Sequence, residues 1–206
     1  MKHHTGKKSF FRLSALIWVL AVACMGQEEQ QASLYTQVPD DWRAEVIPFP
    51  LPFAPEIPYG GREELRFAPG MFTAGAEDYF TYSFLWWLQG KPTIDHQNLQ
   101  QHLSAYFRGL YQAVSKKESK DTTTFQVRVT ATREPAWVPG AEQNFRITVR
   151  WIDPFVTEKE LDLNLMAAQW FCPDQNHTAV YFMVSPQNSG HPLWQTMKAM
   201  NAGRCL

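Results

Sequence analysis

Acidic and histidine side chains stand on both sides of one strongly apolar stretch of the sequence. Glu77 and Asp78 come directly before residues 79–88, and Asp95 and His96 follow that stretch. A carboxylate and an imidazole that meet in a folded chain can act as a general acid–base pair. A loop acid pair and a helix cap explain the same residues without any chemistry. An envelope hydrolase that uses these four residues is therefore our alternative hypothesis.

The histidines do not form a metal-binding pattern. His96 and His102 are six residues apart, so on a helix they lie about 240° apart and cannot share an ion. His177 and His191 fall in predicted loops, and no spacing of His, Cys and acidic residues matches a zinc site. The sequence contains neither a glycine-rich phosphate loop nor a G-x-S-x-G nucleophile elbow. We predict no metal and no cofactor.

Three arginines give the best candidate for a binding surface. Arg128, Arg146 and Arg150 fall on the predicted water-facing side of neighbouring strands. Adjacent strands lie about 4.8 Å apart, so these side chains can join nearby polar residues in one patch. Those residues are Gln126, Thr148, Asp162 and Asn164. Trp137 could stack on a sugar ring if it were exposed. The alternative is an ordinary solvated sheet face with cross-strand charge pairs.

The chain contains three cysteines, an odd number for an oxidising compartment in which thiols tend to pair. If Cys24 carries lipid, Cys172 at the end of a predicted strand and Cys205 at the end of a predicted helix remain to pair. Such a bridge would pin the last helix to the sheet and, for a loop of roughly 30 residues, would contribute roughly 3–4 kcal/mol. The alternative is two free, partly buried thiols.

The N-terminus has the parts of a secretory signal. Four basic residues and no acidic ones occupy the first 12 positions, and residues 13–23 then form an apolar run of eleven. A helix must have about 20 apolar residues to cross a bilayer, so this run fits the apolar core of a signal peptide. A buried N-terminal helix is the alternative, but it would show polar residues at every third or fourth position. We expect residues 1–23 to direct export from the cytoplasm.

Two modes of processing fit the end of this signal. Ala21 and Ala23 form a small-x-small site, whose cleavage would release a soluble protein that begins at Cys24. The same residues followed by Cys24 resemble the lipobox of bacterial lipoproteins. That resemblance implies that Cys24 is lipidated, becomes the first mature residue and anchors the protein to a membrane on the periplasmic side. We favour the lipoprotein interpretation.

Composition narrows the class of partner. Residues 1–23 carry four basic residues and no acidic ones, so their removal leaves 15 Lys and Arg against 20 Asp and Glu. This acidic balance lacks the basic footprint that nucleic-acid binding needs, so we expect no nucleic-acid partner. Residues 24–41 are polar, acidic and poor in apolar side chains, which predicts a flexible tether between the membrane and the body.

Prolines are dense over residues 42–62. Because proline fixes φ and lacks a backbone donor, we predict an extended arm here rather than a helix or a central strand. Apolar residues between the prolines would be costly to leave in water, so the arm should pack across the body. The alternative for this stretch is a proline-rich ligand for a partner protein.

Residues 63–206 predict one α+β domain. An apolar stripe from Leu99 to Val114 predicts a helix whose N-cap is Thr93 or Asp95. Alternating patterns predict strands over residues 64–67, 79–88, 124–132, 144–152, 160–171 and 178–184. Residues 79–88 have a helix as their alternative, and a short helix follows Pro192. The order ββαββββα favours a single, mainly antiparallel sheet packed on one long helix, with its other face in water.

The leading hypothesis is an exported cell-envelope protein, a lipoprotein, whose α+β domain binds an envelope protein or a small ligand without catalysing a reaction. The envelope hydrolase described above is the alternative. A structural, self-associating component of the envelope is a third possibility.

Overall fold

A computed structural model of the chain describes residues 33–116, 121–132, 137–200 and Cys205. The predicted signal peptide, Cys24 and the first part of the predicted tether lie outside the described residues. Within the described part of the chain, neither helix combines the length and the hydropathy that a membrane span requires.

One antiparallel sheet of seven strands forms the body, in the spatial order β1-β2-β3-β7-β6-β5-β4. The strands are β1 (Arg43–Phe49), β2 (Gly61–Phe67), β3 (Tyr82–Gln89), β4 (Gln126–Thr132), β5 (Gln143–Ile152), β6 (Glu160–Cys172) and β7 (His177–Ser185). Helix α1 (His96–Val114) has 19 residues and follows β3, and helix α2 (Leu193–Met200) follows β7. The α+β class with a single antiparallel sheet is confirmed. The order along the chain is βββαββββα, so the predicted order ββαββββα is wrong by one strand.

The additional strand is β1, which lies in the stretch predicted as a proline-rich arm over residues 42–62. It pairs with β2, where Glu45 stands opposite Leu65 and Phe49 stands opposite Gly61. The strand contains Pro48, which has no amide hydrogen, and an edge strand tolerates this because one side of its backbone has no neighbouring strand. Proline therefore excluded a central strand here, but not an edge strand.

The remainder of this stretch packs against α1. Leu51, Ala54 and Ile57 are fully buried. The backbone carbonyl of Phe53 comes so close to the helix that a Cβ atom on Gly109 would lie 1.8 Å from its oxygen. Glycine is therefore required at position 109 because the neighbouring backbone leaves no room for a side chain. A glycine inside a helix suggests such a close approach.

Part of the predicted tether over residues 24–41 belongs to the folded body. Leu34 and Tyr35 are buried. The guanidinium of Arg66 lies 4.4 Å from the centre of the Tyr35 ring, and its Nη2 donates to Ser33 Oγ at 2.7 Å. From Ser33 onward the chain is therefore packed on the sheet rather than free.

Strand β3 begins at Tyr82, three residues later than the alternating pattern predicts. Phe80 has a left-handed backbone with φ of 52°, and the amide of Thr81 donates to the carbonyl of Asp78 in a turn. A bulky residue in this conformation interrupts an extended strand. The strand interpretation, rather than the helical alternative, is confirmed from Tyr82 to Leu88.

Helix α1 covers one face of the sheet, which we call the helix face. Phe84 and Phe182 on the sheet and Phe107 on α1 are buried in the apolar core that fills this side. The other face, which we call the opposite face, carries a second apolar cluster that includes Trp194 and Met197 of α2. The face predicted to lie in water is therefore covered in part by α2 and by the N-terminal segment.

A disulfide joins Cys172 to Cys205, as predicted. Cys172 is the last residue of β6 and is fully buried in the cluster on the opposite face. The bridge ties the chain beyond α2 back to the end of a central strand.

Candidate ligand-binding cavity

A cavity of about 270 Å³ lies between the C-terminal half of α1 and the sheet end formed by β1, β2 and β3. Ligand cavities typically span roughly 300–1,000 Å³, so this one suits a small ligand. Its sheet side is lined by Glu45, Ile47, Leu65, Phe67 and Tyr82. Its helix side is lined by Tyr106, Leu110, Ala113 and Val114. Residues from the connecting segments, namely Phe53, Met71, Phe72, Phe80 and Phe155, complete the walls.

Strand register brings the sheet-side residues to one face. Glu45 of β1 lies directly opposite Leu65 of β2. Two residues before Leu65, Glu63 of β2 lies directly opposite Trp86 of β3. Alternate residues of a strand point to the same face, so Glu63, Leu65 and Phe67 all project toward α1. The floor of the cavity is thus largely apolar, and Glu63 lies next to Ile47 and Leu65 without being among the residues that line the cavity.

Glu63 is a carboxylic acid with no exposed surface. Its Oε1 accepts a hydrogen bond from Trp86 Nε1 at 3.2 Å, whereas its Oε2 has no partner among the described residues. Burial raises the pKa of Glu63 to about 8, and the Trp86 N–H and the Tyr106 hydroxyl offset only part of this rise. The carboxyl is therefore mostly protonated at pH 7.

Two phenols connect Glu63 with the cavity. Tyr82 and Tyr106 both line it, and the Tyr82 hydroxyl is buried without a partner among the described residues. Burial raises the pKa of both phenols, and the nearby carboxyl of Glu63 raises them further. A buried polar group without a hydrogen bond costs about 1–3 kcal/mol.

Aromatic rings form much of the wall. Phe80 packs against Trp151 and Phe155, with ring centres 5.6 Å and 6.0 Å away. Its left-handed backbone is costly for a phenylalanine, and conformations of this kind cluster at functional sites. This strain is an independent feature that marks the cavity as a candidate functional site.

The mouth of the cavity carries its exposed residues. Glu45 and Ala113 are exposed, and Phe72 has 37% of its surface exposed. The guanidinium of Arg43 lies 5.0 Å from the centre of the Phe72 ring. The interior, in contrast, is formed by residues such as Met71 that are almost fully buried.

The structure does not bring the predicted acid–base residues together. Glu77 and Asp78 precede β3 while Asp95 and His96 follow it, so the eight residues of this strand separate the two pairs. Asp95 is the N-cap of α1, as predicted, and accepts hydrogen bonds from two backbone amides of the first turn. Glu77 is an exposed residue whose Oε1 lies 3.0 Å from Nε2 of His191.

The predicted arginine patch lies on the opposite face. Arg128, Arg146 and Arg150 are exposed, and Arg128 and Arg150 border an open groove of about 720 Å³. Arg150 donates to both carboxylate oxygens of Asp162 at 2.8 Å and 3.1 Å. The guanidinium of Arg146 lies 5.2 Å from the centre of the Trp137 ring. These contacts are those of a solvated sheet face, and the role of the patch in binding stays a prediction.

Within the described ranges, no cluster of three or more His, Cys, Asp or Glu side chains could hold a metal ion. His102 Nδ1 lies 3.1 Å from the Tyr59 hydroxyl, and burial lowers the pKa of this imidazole. His177 stacks on Trp87 with ring centres 4.8 Å apart. These imidazoles are engaged in packing and hydrogen bonding.

Sequence reasoning missed Glu63, the buried acid next to the cavity. One signal was available, because Glu63 is in phase with the apolar residues Leu65 and Phe67 and so occupies a core position of an alternating strand. An acidic residue at such a position is costly to bury unless it is neutral or paired, which marks it for attention.

Comparison with other proteins adds no homologue from which a function can be transferred. No family model, no curated protein and no solved structure matches the chain. The cavity and its polar groups are therefore the basis on which a function can be assigned.

Proposed function

We propose that the protein is an exported, membrane-anchored lipoprotein of the cell envelope whose α+β domain binds a small, largely apolar ligand. The ligand occupies the cavity between α1 and strands β1–β3. One observation carries this proposal: the cavity of about 270 Å³ is walled almost entirely by aromatic and aliphatic side chains, with the exposed Glu45 at its mouth. Apolar walls with a few convergent polar groups are the usual form of a small-molecule site.

The proposed compartment is supported by two features. The first is the basic and apolar N-terminal sequence that ends in Cys24. The second is the Cys172–Cys205 disulfide, because structural disulfides persist mainly outside the reducing cytoplasm. With two cysteines paired, Cys24 is left as the residue to be lipidated.

A second candidate is binding of an envelope protein through the arginine patch on the opposite face. The observation that favours it is the open groove beside Arg128 and Arg150. It ranks below the cavity because Arg150 is already paired with Asp162 and an exposed pair of this kind is common on solvated sheets.

The cavity proposal is tested by nuclear magnetic resonance with small probes of equal chain length. We would titrate the mature domain with 1-hexanol, hexylamine and hexanoate and follow the methionine methyl signals. Met71 lines the cavity, whereas Met183 is buried in the cluster on the opposite face and serves as an internal control. We expect a saturable shift of the Met71 signal with at least one probe and no shift of the Met183 signal.

Variants locate the bound probe. Ala113→Trp places a large ring at the exposed mouth and should weaken binding at least tenfold. Gln101→Trp makes the same addition at an exposed position of α1 that does not line the cavity, and it should leave the affinity unchanged. A Met71 signal that responds to none of the three probes would overturn the proposal.

A further inference from the structure

The aromatic side chains of the cavity indicate which class of ligand it takes. We propose that the ligand carries an uncharged aromatic ring, which lies inside the cavity among five aromatic side chains. This inference rests on the proposed binding function and names the ligand of that same site. Its support comes from the arrangement of the five rings, the strained backbone of one of them, and the size and charges of the cavity.

Five of the rings that line the cavity form a closed circuit, in which each ring packs against the next. In order they are Phe67, Phe72, Phe155, Phe80 and Tyr82, and Tyr82 packs in turn against Phe67. Successive ring centres lie 5.5–6.1 Å apart. These side chains, which we call the aromatic circuit, come from β2, from β3 and from the segments that follow β2 and β5.

The spacing of these rings suits a further ring in contact with them. Aromatic rings attract one another in offset or edge-to-face arrangements with centres about 4.5–7 Å apart, because the edge of a ring is positive and its face is negative. The circuit contains such contacts, since the Phe72–Phe155 and Phe80–Tyr82 pairs are edge-to-face, with interplanar angles of 75° and 70°. An aromatic ligand can make the same contacts. A saturated ligand has no such charge distribution and gains only from burial of its surface.

The backbone of Phe80 supports a role for the aromatic circuit. Its φ of 52° lies in the left-handed region, which is unfavourable for a bulky residue and persists only where the surrounding structure enforces it. In this conformation the Phe80 ring packs against both Tyr82 and Phe155. The strained residue is therefore the one that connects β3 with the segment after β5 and closes the circuit.

The size and the charges of the cavity fit an uncharged ring with a short substituent. An apolar cavity of about 150 Å³ is large enough to hold benzene, so the cavity of about 270 Å³ leaves room for a few more atoms. Among the described residues that line the cavity, Glu45 is the only Asp, Glu, Lys, Arg or His, and it is exposed at the mouth. A charged group deeper inside would lose its water without gaining a partner. Any polar substituent of the ligand therefore stays at the mouth, while the ring occupies the interior.

The experiment compares 2-phenylethanol with 2-cyclohexylethanol, which have the same carbon skeleton and hydroxyl and differ in whether the ring is aromatic. The mature protein is titrated with each probe, and the Met71 methyl signal is followed with that of Met183 as the internal control. Burial of apolar surface alone would favour the cyclohexyl probe or leave the two equal, because the saturated ring is the larger one. We expect 2-phenylethanol to bind at least about fivefold more tightly than 2-cyclohexylethanol, because it alone makes ring–ring contacts.

Phe155→Leu opens the aromatic circuit and leaves an apolar side chain in place. It should lower the ratio of the two affinities by at least about threefold, whereas a general disturbance of the cavity would weaken both probes alike. Phe171→Leu makes the same change at a half-buried ring outside the cavity and should leave the ratio unchanged. Phe72→Leu, at the exposed mouth, makes the same test if Phe155→Leu does not fold.

Equal affinities of the wild type for the two probes, or tighter binding of 2-cyclohexylethanol, would overturn the aromatic assignment while leaving the cavity proposal intact. A ratio that neither Phe155→Leu nor Phe72→Leu lowers would also overturn the assignment. Failure of both ring probes and of the three six-carbon probes to shift the Met71 signal would overturn the aromatic assignment and the cavity proposal together.

Discussion

Glu63 and Trp86 are direct partners across β2 and β3, and their side chains meet through the hydrogen bond from Trp86 Nε1 to Glu63 Oε1. The indole satisfies one carboxyl oxygen and leaves the other without a partner among the described residues. The Trp86 N–H and the Tyr106 hydroxyl compensate only in part for the loss of water around a fully buried carboxylate, so the pKa of Glu63 rises to about 8.

This relationship predicts that stability falls as pH rises. The pKa of Glu63 is about 8 in the folded protein, against an unfolded value of about 4.5. Between these values the folded state binds more protons than the unfolded state, so the free energy of unfolding decreases with pH by up to about 1.4 kcal/mol per unit. Above pH 8 the Glu63 carboxyl is ionised in both the folded and the unfolded state, so its contribution to the free energy of unfolding no longer changes with pH. Urea unfolding at pH 5, 6, 7 and 8 measures this slope.

Glu63→Gln isolates the contribution of this carboxyl. The variant should be close to the wild type in stability at pH 5 and more stable than it at pH 8. His102 changes the stability in the opposite direction: its pKa is lowered in the folded protein, so the free energy of unfolding decreases as pH falls below 6.5. The variant and the wild type must therefore be compared at each pH. A constant difference between them from pH 5 to pH 8 would show that Glu63 is ionised throughout.

Gly109 is predicted not to tolerate a side chain. Alanine is favoured over glycine inside a helix by up to about 1 kcal/mol. Here its Cβ would collide with the carbonyl of Phe53, so the segment that carries Leu51 and Ala54 must shift. We expect Gly109→Ala to lower the free energy of unfolding by about 1–3 kcal/mol, as overpacking does. Gln101→Ala, at an exposed position of the same helix, should change it little, and an equal response of the two variants in urea would contradict the proposed clash.

Local patterns were sufficient for much of the fold. The stripe from Leu99 to Val114 predicted α1, and the alternation in β4 to β7 predicted four consecutive strands, because both signals reflect a periodic apolar face. Asp95 was identifiable as an N-cap because its side chain accepts hydrogen bonds from backbone amides only two and three residues away. The disulfide followed from the number of cysteines, because two remain to pair if Cys24 carries lipid. The expectation that Cys205 ends the last helix is wrong, since α2 ends at Met200.

The parts that could not be predicted depend on distant residues. β1 carries Pro48 and has mostly exposed side chains, so only its pairing with β2 makes it a strand. Phe80 leaves the strand conformation with a φ of 52°, and its ring packs against Trp151 and Phe155, which follow about 70 residues later. Glu63 becomes buried only once β1, β3 and α1 surround it. No local pattern carries such information.

The disulfide is predicted to stabilise the domain strongly. Cys172 and Cys205 are separated by 33 residues, and closing a loop of this size contributes roughly 3–4 kcal/mol in the chain-entropy model. We expect Cys205→Ala to lower the free energy of unfolding by a similar amount. A reducing agent should destabilise the wild type to the level of this variant and have no further effect on the variant. If the reductant weakened both proteins equally, the bridge would not be the source of the stability.

Two arginine sites on the opposite face should respond differently to substitution. Arg66 is largely buried, contacts Glu64 at 3.6 Å and holds Ser33 and Tyr35, so Arg66→Ala should lower the free energy of unfolding by about 1–3 kcal/mol. The double variant Arg128→Glu/Arg150→Glu should stay folded and lose at most about 1 kcal/mol of stability, because the exposed Arg150–Asp162 pair contributes little and the new like charges lie in water. Loss of folding in that double variant would mean that the patch is part of the core.

The anchor predicted at Cys24 can be tested in cells by fractionation. Cys24→Ala removes the thiol that would carry lipid, while the signal over residues 1–23 and the alternative cleavage site at Ala21–Ala23 remain. The variant should therefore still be exported but move from the membrane fraction to the soluble fraction, because a lipid anchor holds through the burial of its acyl chains. Cys205→Ala is the control, since it alters a cysteine of the folded domain and should stay with the membrane. An unchanged distribution of Cys24→Ala would contradict lipidation, and finding the full-length chain in the cytoplasm would contradict export itself.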